Sequence, residues 1–125
     1  MRLIKPKFDR IPKLTLYLTA SKNNQIYINP DAAKILKIKE GDRVLFGHDE
    51  KDETIFYILK AKTRCGFRVS LHSNSKSLVC CSVEFCQLLK QTFNPQKSKL
   101  ELYISLKPIT IDGIEAFVLL NHIDE

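Results

Sequence analysis

Two stretches of this chain carry one pattern. Leu14 to Lys37 reads LTLYLTASKNNQIYINPDAAKILK, and Phe67 to Lys90, fifty-three residues further on, reads FRVSLHSNSKSLVCCSVEFCQLLK with no gap between them. Leu14, Leu16 and Leu18 answer to Phe67, Val69 and Leu71, Asn29 answers to Ser82, and Ile35, Leu36 and Lys37 answer to Leu88, Leu89 and Lys90. Two copies of one unit predict a fold with internal pseudo-two-fold symmetry. That restricts the architecture more than it restricts the function.

Periodicity gives each unit the same order of elements. Leu14 to Thr19 alternates apolar and polar residues as a half-buried strand does, Ser21 to Asn24 has turn chemistry, and Gln25 to Ile28 is a second short strand. Asn29 is placed to cap a helix, Pro30 tolerates a first helical position, and Asp31 suits the positive end of the helix dipole, which predicts a helix over Pro30 to Leu36. Gly41-Asp42 turns into a third strand, Arg43 to Gly47, and the acidic stretch Asp49 to Glu53 forms a hairpin tip before a fourth strand, Thr54 to Lys60. In the second unit Ser82 takes the cap, Glu84 the first turn, and the helix is expected over Val83 to Thr92. A long strand carrying Leu100, Leu102, Ile104 and Leu106 follows, then an Asp112-Gly113 turn and a closing strand from Glu115 to Leu120. The fold class is therefore mainly β with two short helices: a pseudo-two-fold β-barrel of two ββαββ repeats, since a single unit would leave its sheet edges bare.

The 125 residues suffice for one core. We read a basic N-terminal tail over 1–13 and a single barrel domain over 14–125, made of repeats 14–61 and 67–120. The tail holds Arg2, Lys5, Lys7, Arg10 and Lys13 against Asp9 alone, so most of the formal net charge of +6 sits there. Lys60, Lys62, Arg64 and Arg68 form a second basic concentration near the junction of the repeats. No apolar run approaches the ~20 residues that span a bilayer, and the N-terminus lacks an apolar stretch after its charges, so a cytoplasmic protein with no membrane association is expected. Cys65, Cys80, Cys81 and Cys86 are expected as reduced, buried thiols, with Cys80 and Cys81 on opposite faces of a strand.

The segment Gln25 to Val44, QIYINPDAAKILKIKEGDRV, resembles the core of the AbrB-like (SpoVT/AbrB) DNA-binding domain: a strand, a proline-marked helix start, a short helix, then a Gly-Asp box leading into a strand. The match covers about residues 14–61, and residues 67–120 through the internal repeat. The same box recurs in related cradle-loop barrels, so swapped-hairpin and double-psi connectivities both stay open. The resemblance implies a tandem pseudo-dimer of the kind found in the MraZ group, and duplex DNA binding through the first hairpin and the helix start. Family members often place arginines at the positions of Gln25, Ala33 and Lys34, of which Lys34 keeps a positive charge here. The matching positions of the second unit are Leu78, Cys86 and Gln87.

The residues left for nucleic acid are Lys22 and Lys76 in the two hairpin loops, Lys34, Arg68, and Lys13 with the rest of the tail, as phosphate contacts. Asn23, Asn24 and Asn74 can read base edges, because an amide bonds adenine bidentately, and they equally make turns. His48, His72 and His122 are scattered and no cysteine pair has zinc-site spacing, so no metal or cofactor is expected. With no phosphate loop, nucleophile elbow or clustered carboxylate pair in an apolar setting, the chain reads as a non-enzyme. The partners expected are double-stranded DNA, or, for a barrel that kept the fold and lost DNA binding, another protein or a second copy in an interaction or scaffolding role.

Overall fold

The computed structural model describes residues 12–18, 24–52, 54–62, 64–72, 76–93, 99–111 and 113–120. Strands β1 (Lys13–Tyr17) and β2 (Gln25–Ile28) are followed by helix α1 (Pro30–Leu36) and the hairpin of β3 (Arg43–His48) and β4 (Phe56–Lys60). Then come β5 (Phe67–Arg68), β6 (Ser70–Leu71), β7 (Leu78–Cys81), helix α2 (Val83–Phe93), β8 (Lys99–Ile104), β9 (Ile109–Ile111) and β10 (Ile114–Leu120). The described chain is mainly β with two helices. No helix among the described residues is long and apolar enough to cross a membrane.

Local chemistry sets both helix starts. Asn29 stays extended, and its Oδ1 accepts from the Ala32 amide at 2.8 Å and from the Lys13 amide at 3.2 Å, so one side chain caps α1 and ties it to β1. Ser82 Oγ accepts from the Phe85 amide at 3.2 Å at the start of α2. α1 ends on Lys37, a left-handed residue (φ 58°) whose amide returns to the last turn. Gly41 (φ +94°) then makes the turn expected of the Gly-Asp pair, and Asp42 Oδ2 accepts from the Lys39 amide at 3.0 Å.

The strands form one antiparallel sheet in the order β5-β3-β4-β10-β8-β1-β2-β7-β6, with β9 paired to β10. Its two ends are adjacent in sequence. β5 pairs with β3 through Arg43↔Arg68 and Val44↔Phe67, β6 pairs with β7 through Ser70↔Val79 and Leu71↔Leu78, and only Val69 lies between them. The Val69 amide donates to the Asp42 carbonyl and its carbonyl accepts from the Gly41 amide, both at 2.9 Å. One short extended segment thus bridges both edges, and the sheet is a nearly closed barrel in which few strand edges remain bare.

Leu14, Leu16, Ile26, Ile28, Val44, Ile58, Val69 and Leu102 are all almost fully buried inside it. The helices sit at opposite ends of β4. α2 lays Phe85 flat on Phe46 (centroids 4.1 Å apart) and both Phe85 and Phe93 against Phe56, while Leu36 of α1 lies with Lys60 at the other end.

Several boundaries differ from the sequence reading. Lys13, assigned to the tail, is the first residue of β1 and pairs with Tyr103; the rest of the tail, apart from Pro12, lies outside the described residues. The long strand expected to run through Leu106 stops at Ile104. Pro108 has no amide to give a ladder, and Leu106, 70 % exposed, is left outside. β4 begins at Phe56 rather than Thr54, because Asp52 Oδ1 takes the Thr54 amide and hydroxyl into a turn. None of the four cysteines is in a disulfide, but only Cys80 and Cys86 are buried; Cys65 and Cys81 are exposed.

Candidate nucleic-acid interface

Strand pairing decides which expected contacts can act together. β2 and β7 run antiparallel, with Gln25 opposite Cys81 and Ile28 opposite Leu78, so the β1–β2 loop and the β6–β7 loop leave this pair at opposite ends. Asn24 closes the first end in a left-handed conformation (φ 64°), and its carbonyl accepts from the Ser82 amide at 3.1 Å. It holds a turn. Exposed Lys76 lies at the second end. Lys22, Asn23 and Asn74 lie outside the described residues.

Lys13 is engaged elsewhere. Its Nζ pairs with Glu101 Oε2, Lys99 stands 3.8 Å from Oε1 of the same carboxylate, and the Lys13 hydrogen bond holds Glu101 below the usual carboxylate range. These three groups line a polar cleft of about 340 Å³ on the outer face, beside Tyr17 and Tyr27, whose rings meet edge to face at 5.2 Å. One acid between two bases leaves little net charge there.

Lys34 and Arg68 belong to a different assembly. Lys34 is exposed in the last turn of α1, and its carbonyl accepts from Lys37, the cap residue. Lys60, at the end of β4, donates to the Lys37 carbonyl at 3.0 Å and stands 3.7 Å from Asp42. Lys37, Lys60 and Lys62 line one cleft of about 350 Å³ with Leu36, Glu115 and Phe117. From there the Ala61 amide donates to the Arg43 carbonyl at 2.8 Å, Arg43 Nη1 donates to the Gly66 carbonyl at 2.9 Å, and Arg43 is the cross-strand partner of Arg68. Two arginines facing each other across an edge repel unless an anion lies near them.

Lys34, Lys37, Lys60, Lys62, Arg64 and Arg68 are all exposed, and Lys37, Lys60 and Lys62 share the cleft. Two nearby acids are already committed. Glu40 Oε2 accepts from the Leu71 amide at 2.9 Å, and Asp42 serves the Lys39 amide and Lys60. The sequence marked Lys60, Lys62, Arg64 and Arg68 as a concentration but missed Lys37, because the Lys37–Lys60 contact spans twenty-three residues. The available signal was a second basic run, Lys34, Lys37 and Lys39, just ahead of the Gly-Asp turn.

The acidic tip lies at the far end of the same β3–β4 hairpin. Asp49 Oδ1 accepts from the Lys51 and Asp52 amides, and its Oδ2 from the Tyr57 hydroxyl at 2.7 Å. The tyrosine bond, ahead of the two amides, holds Asp49 below the usual carboxylate range, and Tyr57 is raised by the same bond. The hairpin is thus acidic at its tip and basic at its base. Among the described residues no group of three or more histidine, cysteine or acidic side chains could hold a metal ion. Comparison with known protein families, with characterised proteins and with solved structures finds no match to this chain.

Proposed function

We propose that this is a cytoplasmic, non-enzymatic, transcription-regulator-like barrel of the AbrB-like type, a tandem pseudo-dimer in one chain, and that it binds duplex DNA through the phosphates. The observation that carries the DNA reading is the cleft shared by Lys37, the cap of α1, with Lys60 and Lys62, beside exposed Lys34 in the last turn of α1 and exposed Arg64 and Arg68 in the segment that follows β4. Phosphate neutralisation supplies most non-specific affinity for duplex, and a handful of such cations suffices.

The pairing pattern supports the tandem reading. Exchanging β1, β2, β3 and β4 for β5/β6, β7, β8 and β10 turns β1·β2 into β6·β7, β3·β4 into β8·β10 and β1·β8 into β5·β3. It leaves β2·β7 and β4·β10 as they are. Both helices also open alike: the Ala33 amide reaches the Asn29 carbonyl and the Cys86 amide the Ser82 carbonyl, fifty-three residues apart in sequence. Under this reading the interface keeps Lys34 of the three family positions, leaves Gln25 and Ala33, and extends to the end of α1 and the β4–β5 junction.

The test is a salt titration on random-sequence duplex. Lys60 is held by Asp42, so five of the six cations are free to meet phosphates, which predicts a slope of log K against log salt of about −4.5, or several hundred-fold between ~50 and ~200 mM. Changing Lys34, Lys37 and Lys62 together to glutamate should abolish binding, while Lys13→Glu should change it little. Absence of retardation at ~50 mM salt would leave the scaffolding alternative, for which exposed Leu71, Val83 and Leu106 offer contact surface.

A further inference from the structure

From the cleft at the end of α1 we infer a binding site for a compact polyanion, a phosphate ester or polyphosphate carrying two or more negative charges, whose occupation competes with nucleic acid for Lys37 and Lys62. The competition rests on the DNA reading above; the binding itself does not. About 350 Å³ is enough for a group of this size, within the usual range for small-molecule sites. Its lining residues include Lys37, Lys60 and Lys62, with Glu115 the acidic residue among those described.

Lys60 and the backbone of Lys37 are fixed in place. Lys60 is fixed by the Lys37 carbonyl and by Asp42. Lys37 is the left-handed cap of α1, so its Cα–Cβ direction is set by the helix end. Leu36 and Phe117, 4 % and 5 % exposed, back the cleft, and an apolar wall strengthens charge interactions in front of it. Gly113 (φ +79°) also lines the cleft, and a Cβ there would meet nothing within 4 Å, so this residue leaves room for a ligand. With Lys60 engaged by Asp42, Lys37 and Lys62 are left to meet the ligand, and an internal phosphodiester brings them one charge. A diphosphate, a triphosphate or a terminal phosphomonoester brings two or more.

Two sources share this chemistry, a free nucleotide or the 5′-phosphorylated end of a strand. The experiment titrates inorganic pyrophosphate, ATP, and short single strands with and without a 5′-phosphate into the full chain, following backbone amide shifts and heat. Saturable binding is expected, with shifts centred on Lys37, Lys62 and Gly113. Lys37→Ala and Lys62→Ala should each weaken pyrophosphate about tenfold, and Glu115→Gln should strengthen it about threefold. Lys76→Ala, on the far loop, should leave it unchanged. A preference for the 5′-phosphorylated strand over ATP identifies a strand end, and the reverse a free nucleotide. Shifts spread without saturation over the whole basic end, or weaker binding after Glu115→Gln, would overturn the site. If pyrophosphate saturates but duplex is not retarded, the DNA reading fails and the site stands; if duplex is retarded but pyrophosphate does not saturate, the site fails alone.

Discussion

Val69 is the residue on which closure of the sheet turns. It is fully buried, lies between the segment paired to β3 and the segment paired to β7, and both of its backbone groups bond to the Gly41–Asp42 turn. Val69→Ala removes two buried methyl groups, about 1.6 kcal/mol at ~0.8 kcal/mol per buried carbon, and the space left adds to that, for roughly 2 kcal/mol or somewhat more. In a chain of this length that lowers the melting temperature by about 6–10 °C. Leu71→Ala, two residues on and 54 % exposed, should cost no more than about 0.5 kcal/mol. Val69→Thr keeps the β-branch, so a loss there similar to that of alanine assigns the cost to burial rather than to strand preference. Urea unfolding measures all three. Equal, small losses for Val69→Ala and Leu71→Ala would refute the closure, as would fast amide exchange at Val69 and Gly41 in the native protein.

Gly66→Ala should cost about 1–3 kcal/mol, since its Cβ would stand 2.7 Å from the Ala61 Cβ, 2.8 Å from the Val44 carbonyl oxygen and 2.9 Å from the Arg43 Cβ. Ala61→Gly should rescue only part of this, because the carbonyl stays; complete rescue in urea unfolding would contradict the close backbone approach. Asp49 is held ionised by Tyr57, so its stabilising effect is full above the usual aspartate range and is lost as pH falls through its lowered value, whereas the raised Tyr57 retains its proton and its bond until pH rises past the usual tyrosine range. Tyr57→Phe should raise the Asp49 midpoint followed by carboxyl NMR, and an unmoved midpoint would remove the tyrosine as its cause. Burial pushes Cys80 up to about 12 and Cys86 up to about 11, so a thiol reagent at pH 8 should label exposed Cys65 and Cys81 quickly and all four only after unfolding. Rapid labelling of four in the native protein would contradict the packing around α2.

How much of this was legible in the sequence depended on how far each cause acts along the chain. β2 and α1 fall where the pattern put them, because Asn29, Pro30 and the helical spacing of Ala32 and Leu36 act within one turn. α2 runs one residue beyond its expected end because Phe93 finds Phe56, a partner thirty-seven residues back that no local pattern reveals. Phe67 to Leu71 looked like a single strand in one hairpin. Its first half serves β3 and its second half β7, and alternation in sequence is silent about which neighbour a strand takes. The candidate interface showed in part, as the basic run Lys60 to Arg68 with Lys34, but Lys37 escaped for the same reason: it is an unremarkable lysine until the fold brings Lys60 to its carbonyl.

The β3–β4 hairpin gives a way to tell contact from field. β4 is five residues long, so the acidic tip and the basic base stand about 17 Å apart. At physiological salt the screening length is ~8 Å and the tip cannot cancel the base; at ~10 mM it is ~30 Å and the tip is felt by any polyanion approaching the lysines. Glu50 is exposed at that tip, in a turn whose backbone is held by Asp49 and Asp52 rather than by its own side chain. Glu50→Lys should therefore strengthen duplex binding several-fold at ~10 mM salt and leave it unchanged at ~150 mM. If the gain were the same at both, the tip would be touching the nucleic acid, and an interface confined to the end of α1 and the β4–β5 junction would be the wrong one.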